Sequence, residues 1–397
     1  MNLKFGQGNL LKKISILLIS ILALNTQSLQ SAQAADVLPN SFFTYLGSKY
    51  LANPGIILID QSDNTVVYEK GAEVLRAPAS VLKLVSTSAI ALTMETSTVF
   101  RTAIYSTNKP GAFVILGDDD PWITSSTKER DNYKRAYLPA LLKAALAERN
   151  NLRVISIQYN GVSGSDIKTA KRALKKSSSI KSTALPKGTD TTTIVTEKIA
   201  EIVSPKLSTI IKFTNLYSDN LLSQRLAMLA VVRNGYSANT TGLNKMAKDK
   251  LGALGVDVTG MNLLDASGLA SGNKISAITV SQLLLKIRTE PKLKMVYDSL
   301  PVGGVSGTLI GRYKGTAPQA VGLVKAKTGS IRHVVSLAGY ATAGEKEYVF
   351  VVIADHVGRT KRIQNAARSA IDRMLGTITK APVIPTTTTT DTTTVFN

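Results

Sequence analysis

Serine and lysine are the residues left to carry chemistry in this chain. It has no cysteine, which removes thiol nucleophiles, disulfides and every cysteine-bearing zinc site. Its two histidines are His333 and His356, too few for a His-rich metal centre, and any Ser-His-Asp triad would have to draw its base from that pair. A serine hydroxyl attacks well only when a base takes its proton, and a lysine in an apolar site gives up its own proton more readily than one in water. Ser-x-x-Lys spacing sets the two side chains one helical turn apart. The pattern begins at Ser80, Ser106, Ser125, Ser165, Ser178 and Ser271, so spacing alone does not discriminate. Only Ser80 opens a strongly apolar helical run, Ser80 to Thr93, with Pro78 just ahead of its first turn. There Lys83 shares a face with Ser80. Free N–H groups at a helix N-terminus favour negative charge developing on an attacked carbonyl oxygen. A capping serine followed by a solvent-directed lysine has the same spelling, so Ser80 and Lys83 need supporting context.

Two further patterns supply it. Ser-Asp-Asn occurs at Ser62, where hairpin-turn chemistry explains it, and at Ser218-Asp219-Asn220, at the start of an apolar helical segment where Ser218 has the setting of an N-cap. Lys327-Thr328-Gly329 occurs once, at the expected end of a strand, where Gly329 would let a ligand backbone approach the edge closely. No Gly-x-Ser-x-Gly elbow, phosphate-loop Gly-Lys-Ser/Thr or dinucleotide-type glycine motif is present in the mature chain.

The elements that must position these residues follow from periodicity. Gly55 to Asp60 (GIILID) and Thr65 to Tyr68 read as strands joined by a turn. Helical periods return over Thr196 to Lys212, Ser218 to Val232 and Thr279 to Arg288. Val321 to Lys327, Val334 to Thr342 and Glu347 to Ala354 suit an antiparallel meander, and Thr360 to Leu375 suits a closing amphipathic helix. Between Phe100 and Asp190 the texture changes to short apolar pieces and polar loops with 16 basic and 8 acidic residues.

The 397 residues predict two domains, and the formal charge of +21 calls for an anionic partner. Residues 1–34 read as an export signal: Lys4, Lys12 and Lys13, an apolar run from Ile14 to Leu24, then Ala32-Gln33-Ala34. That run is well short of the ~20 residues a spanning helix needs. Removing the segment leaves +18 and places the protein outside the cytoplasm, periplasmic or cell-wall associated, which argues against nucleic acid as the partner. Lys168 to Ser182 carries six basic residues and no acid. A solvated face accounts for it; a contact with anionic wall polymer is the sharper reading. Residues 381–397, with a nearly unbroken threonine run from Thr386 to Thr394, are expected to be a disordered tail.

The order Ser80-x-x-Lys83, Ser218-Asp219-Asn220, Lys327-Thr328-Gly329 is the trio of penicillin-binding proteins and class A β-lactamases. With Arg76 to Ser80 (RAPAS), Asn215 to Asn220 (NLYSDN), Asp265 to Leu269 (DASGL) and Leu300 to Thr308 (LPVGGVSGT), the chain resembles the low-molecular-mass class C penicillin-binding proteins, the D-alanyl-D-alanine carboxypeptidase/endopeptidase family of the penicilloyl serine transferases. The 138 residues from Ser80 to Ser218, and the lack of Glu-x-x-Leu-Asn after Ser218, set it apart from class A β-lactamases. Ser223-Gln224 departs from the Ala-Glu often found in the family, which puts a supporting contact in doubt.

The resemblance implies an α+β fold: a five-stranded antiparallel sheet flanked by helices, built discontinuously from 36–99 and 191–380, with an inserted domain at 100–190. It implies that Ser80 attacks a D-Ala-D-Ala bond with Lys83 as proton acceptor. Ser218 would relay the proton, Asn220 would hold the substrate amide, and Lys327 would keep the site positive. Thr328 and Ser330 would bind the terminal carboxylate beside Gly329, and the Ser80 and Ser330 N–H groups would form the oxyanion hole. Peptidoglycan peptide is then the substrate and β-lactams are inhibitors; no metal or organic cofactor is required and His333 is a bystander. A β-lactamase or a non-catalytic wall-binding protein of the same fold are the alternatives.

Overall fold

A strand covered on both faces needs apolar residues at every position, not at alternate ones. GIILID satisfies this and forms β1 (Gly55–Asp60), with all six residues buried, and β2 (Val66–Lys70) returns beside it. The computed structural model describes residues 38–380, residues 177 and 187 excepted. The expected signal at 1–34 and the threonine tail at 381–397 lie outside the described residues. After β2 comes a single 3-10 turn, Ala79–Val81, which runs into the helix Leu82–Thr93. Ser80 therefore sits in a tight turn at the mouth of that helix instead of within its first α-helical turn.

A second sheet follows, from β3 (Arg101–Ser106), β4 (Ala112–Gly117), β5 (Ile155–Asn160), β6 (Ile180–Ala184) and β7 (Lys198–Val203). Its order is β6-β5-β4-β3-β7, with β4, β5 and β6 parallel and the β3 contacts antiparallel. β7 corrects the helical expectation for Thr196 to Lys212. Lys198–Val203 (KIAEIV) pairs with β3, and the helix begins only at Leu207, after Pro205. Cross-strand pairing overrides the weak local helical period there. The second sheet thus draws on chain beyond Asp190.

Helices Leu207–Tyr217 and Asn220–Arg233 come next. Then β8 (Val324–Ile331), β9 (Val334–Ala343) and β10 (Lys346–Ala354) complete the first sheet in the order β2-β1-β10-β9-β8, antiparallel throughout. β8 carries Lys327-Thr328-Gly329 in its middle, not at its end as expected, because Gly329 and Ser330 still pair with Ser336 and Val335 of β9.

The two-residue period of the first sheet divides the core. Ile57, Ile59, Tyr340, Val349 and Val351 face the Leu82–Thr93 helix and its neighbours, and this core continues into the second sheet through Ile104, Ile115 and Ile157. Ile56, Leu58, Leu337, Phe350 and Val352 face the other way, onto Phe42 and the closing helix Lys361–Gly376 through Ala367, Ile371 and Met374. Fully burying one such aliphatic or aromatic side chain contributes about 1.5–3 kcal/mol. One sheet thereby fixes Ser80 on one side and the closing helix on the other.

Candidate active site

Ser80 is preceded by Ala79 in a left-handed backbone conformation (φ 48°), a strained setting for a residue with a Cβ. The surroundings hold it there. Gly268 packs so closely on Ala79 that a side chain at 268 would run into the Ala79 carbonyl, and the Ser336 hydroxyl donates to Pro78 O at 2.6 Å. The small size of Gly329 serves the same packing. A Cβ there would strike the Ser336 hydroxyl and lie 2.6 Å from Pro78 O and 3.1 Å from Val81 N. The space expected to admit a ligand backbone is therefore filled by the protein's own Ser80 turn, which β8 must approach.

Lys83 is fully buried, and its ammonium donates to Ser80 Oγ at 3.1 Å, Asn220 Oδ1 at 2.7 Å and Ser267 O at 2.7 Å. All three acceptors are uncharged. Burial pulls its pKa down to about 8, against the opposing pull of the Asp265 and Asp219 carboxylates. Ser267 O is presented by a loop that Asp265 organises. Its carboxylate accepts from the backbone N–H groups of Ser267 (2.8 Å), Gly268 (2.5 Å) and Ala270 (2.6 Å). Burial works against an ionised Asp265, but these N–H groups outweigh it and hold the carboxyl below its usual range.

Ser218 and Asn220 come from the junction of two helices. Ser218 closes the first in a left-handed conformation (φ 58°), and Asp219 caps the second by accepting from Leu222 N at 2.9 Å. The N-cap is thus Asp219, not Ser218 as the sequence suggested. This frees the Ser218 hydroxyl, which accepts from Lys327 Nζ at 2.9 Å; the same ammonium donates to Thr328 O at 3.0 Å. Lys327 is also fully buried, and burial, then Lys83, pushes its pKa well below the ordinary lysine value. Asn215 ties the junction to the Ser80 helix, donating to Thr87 Oγ1 at 3.2 Å and to Ser299 Oγ at 2.8 Å.

Ser80, Lys83, Asn220, Ser218 and Lys327 are therefore joined in two short hydrogen-bonded chains that meet at one helix junction. Thr328 and Ser330 lie along β8 beyond them. The Thr328 hydroxyl shares a 2.8 Å hydrogen bond with Thr308, and Ser330 Oγ accepts from Arg368 at 2.7 Å. Among the described residues no hydrogen bond links either histidine to Ser80 or Lys83; His356 pairs instead with Asp355, the partner of Arg76.

Sequence reasoning missed Arg368, Thr87 and Ser299 altogether. Thr308, Asp265 and Ser267 lie within the motifs, but their spelling alone gives them no role. The Ser223-Gln224 departure proves compatible with the scaffold. Ser223 Oγ donates to Ala266 O at 2.6 Å, and Gln224 Oε1 accepts from Ala266 N at 2.9 Å, so an amide braces the Asp265 loop.

A serine-bearing turn held between an all-helical region and a five-stranded antiparallel sheet, with two buried lysines on serine hydroxyls, is the arrangement of the serine–lysine acyl-transfer enzymes of the penicillin-binding and β-lactamase fold. The chain belongs to the D-Ala-D-Ala carboxypeptidase 3 (S13) family, whose model matches residues 140–378. That match takes in Ser218, Asn220 and Lys327 and begins after Ser80 and Lys83. Carboxypeptidase DacB of Mycolicibacterium smegmatis is 27% identical over 379 residues, 82% of each chain. The D-alanyl-D-alanine carboxypeptidase of an Actinomadura species is 35% identical over 166 residues, 40% of this chain and 30% of that one. Penicillin binding protein 4 of Haemophilus influenzae has the same fold, with a TM-score of 0.63 at 18% identity, covering 86% of this chain and 98% of that one. Its complex with a β-lactam gives the same TM-score at 19% identity.

Proposed function

We propose that the protein is an exported D,D-peptidase that cleaves D-Ala-D-Ala or the equivalent cross-link in peptidoglycan stem peptides through an ester on Ser80. The observation that carries this reading is Lys83: a buried ammonium 3.1 Å from Ser80 Oγ with only neutral acceptors around it. Such a lysine reaches its neutral form near physiological pH and takes the Ser80 proton as Oγ bonds to the carbonyl carbon. The proton passes to the departing amine through Ser218, whose oxygen is held by Lys327, and the C–N bond breaks. Asn220 shares its amide between Lys83 and the substrate, and the Ser80 and Ser330 N–H groups receive the developing oxyanion. Water then hydrolyses the ester. A β-lactam, whose ring presents the same carbonyl and carboxylate, acylates Ser80 and stays.

The basic edge of the second sheet fits a cell-envelope location. Lys168, Lys171, Arg172 and Lys175 follow an i, i+3, i+4, i+7 stripe along the helix Gly164–Ala173 and its end. None of the four forms an ion pair among the described residues. An anionic wall polymer is the partner such a stripe would hold. Release of free D-Ala from an acylated tripeptide ending in D-Ala-D-Ala, by the wild type and not by Ser80→Ala, tests the activity. A wild type that neither releases D-Ala from this peptide nor cleaves a cross-linked stem-peptide dimer would overturn it.

A further inference from the structure

A carboxypeptidase substrate carries a carboxylate one residue beyond the bond that breaks, so a cation is needed close to Ser80 on the β8 side. Neither active-site lysine is free for this. Lys83 is enclosed by its three acceptors, and the fully buried Lys327 is engaged by Ser218 and Thr328 O. From the fold we infer that Arg368 of the closing helix is the counter-charge for the substrate carboxylate, acting beside Ser330.

Arg368 reaches the site because the helix is pinned to the end of β8. Gln364, one turn earlier, donates to Ile331 O at 3.2 Å and Arg332 O at 3.0 Å. Residues 364, 368 and 372 then lie on one helix face. Asp372, the acid one turn after Arg368, does not neutralise it: both its oxygens are taken by the Arg312 guanidinium, and Thr316 donates to one of them. Among the described residues Arg368 has no carboxylate partner, only Asn365 Oδ1 at 2.6 Å and Ser330 Oγ at 2.7 Å. Its charge is half-buried and uncompensated, next to the paired Arg312, a costly arrangement that an incoming anion relieves.

The hydrogen-bond directions agree. Because the Ser330 oxygen accepts from Arg368, its own O–H is left to donate outward. Of the Thr308 and Thr328 hydroxyls, one donates to the other, which leaves a second O–H for the ligand. A guanidinium with two hydroxyl donors in a row along β8 suits a carboxylate.

The inference rests on the proposed D,D-peptidase reading, and one pair of substrates separates the two. The wild type and Arg368→Gln are assayed on the same peptide ending in D-Ala-D-Ala carboxylate or carboxamide, and on acylation by penicillin or its methyl ester. For Arg368→Gln, kcat/KM and acylation are expected to fall about ten- to hundredfold on the carboxylates, the range for a charge-assisted hydrogen bond, and to change less than about twofold on the neutral forms. Arg368→Lys should recover part of the loss. Equal losses on charged and neutral ligands would mean that Arg368 only props up β8, and no loss would mean that it does not meet the ligand; either overturns the inference. A wild type that turns over no peptide and takes no penicillin would overturn the peptidase reading and the Arg368 assignment with it.

Discussion

Lys83 Nζ lies 3.1 Å from Ser80 Oγ and 2.7 Å from Asn220 Oδ1, so one buried ammonium bridges the proposed nucleophile and the amide proposed to hold the substrate. Its pKa of about 8 sets the first prediction. Below that value Lys83 is mostly protonated and cannot take the serine proton; above it the neutral form dominates. Acylation of Ser80 should therefore rise about tenfold per pH unit on the acid side and level off above pH ~8. Lys83→Arg, which stays charged, should lose about a hundredfold or more of the rate at every pH. Stopped-flow acylation from pH 6 to 9 measures this, and a flat profile would remove Lys83 as the base.

Gly329→Ala places a methyl group against Pro78 O and the Ser336 hydroxyl, where β8 meets the Ser80 turn. Overpacking of this kind costs about 1–3 kcal/mol, and the shift falls on the nucleophile. Thermal unfolding should show the loss of stability, and penicillin labelling should fall by more than about tenfold. Gly311→Ala, where a Cβ meets nothing within 4 Å, should change neither.

Asp120 is a buried carboxyl whose pKa burial raises to about 6, in spite of hydrogen bonds from Ser204 Oγ and Trp122 N. The folded chain then binds this proton more tightly than the unfolded chain, whose Asp titrates near 3.8. The sign follows: stability falls as pH rises from about 4 through 6, by up to about 3 kcal/mol from this group. Asp120→Asn should flatten that part of the profile. Denaturant titrations of both proteins at pH 4, 5, 6 and 7 make the comparison, and parallel profiles would contradict it.

Replacing Lys168, Arg172 and Lys175 by serine should weaken binding to a glycerol-phosphate polymer and make its salt dependence shallower. Penicillin labelling of the same variant should stay at the wild-type level, since the stripe lies on the second sheet. Unchanged polymer binding in sedimentation at low salt would leave the stripe as a solvated face.

How far the sequence reached depended on the range of each interaction. β1, the closing meander and the Ser80 helix were legible because continuous apolar runs and the helical period are local signals. Lys198–Val203 was misread because its strand identity comes from pairing with Arg101–Ser106, far away in the chain. Ser218 was read as a cap because Ser and Asp both suit that place, and only the backbone shows that Asp219 takes it. The motif spelling pointed to Ser80, Lys83, Asn220 and Lys327. Arg368 had no spelling of its own; its place beside Ser330 depends on the Gln364 contacts with β8.

The proposed chemistry stands or falls on Ser80 as the acylated nucleophile. The direct measurement is to react the full chain with penicillin, digest it and locate the adduct by mass spectrometry. One penicilloyl group is expected on the peptide bearing Ser80, absent from Ser80→Ala. An adduct on Ser218 or any other residue, or none at all, would contradict it.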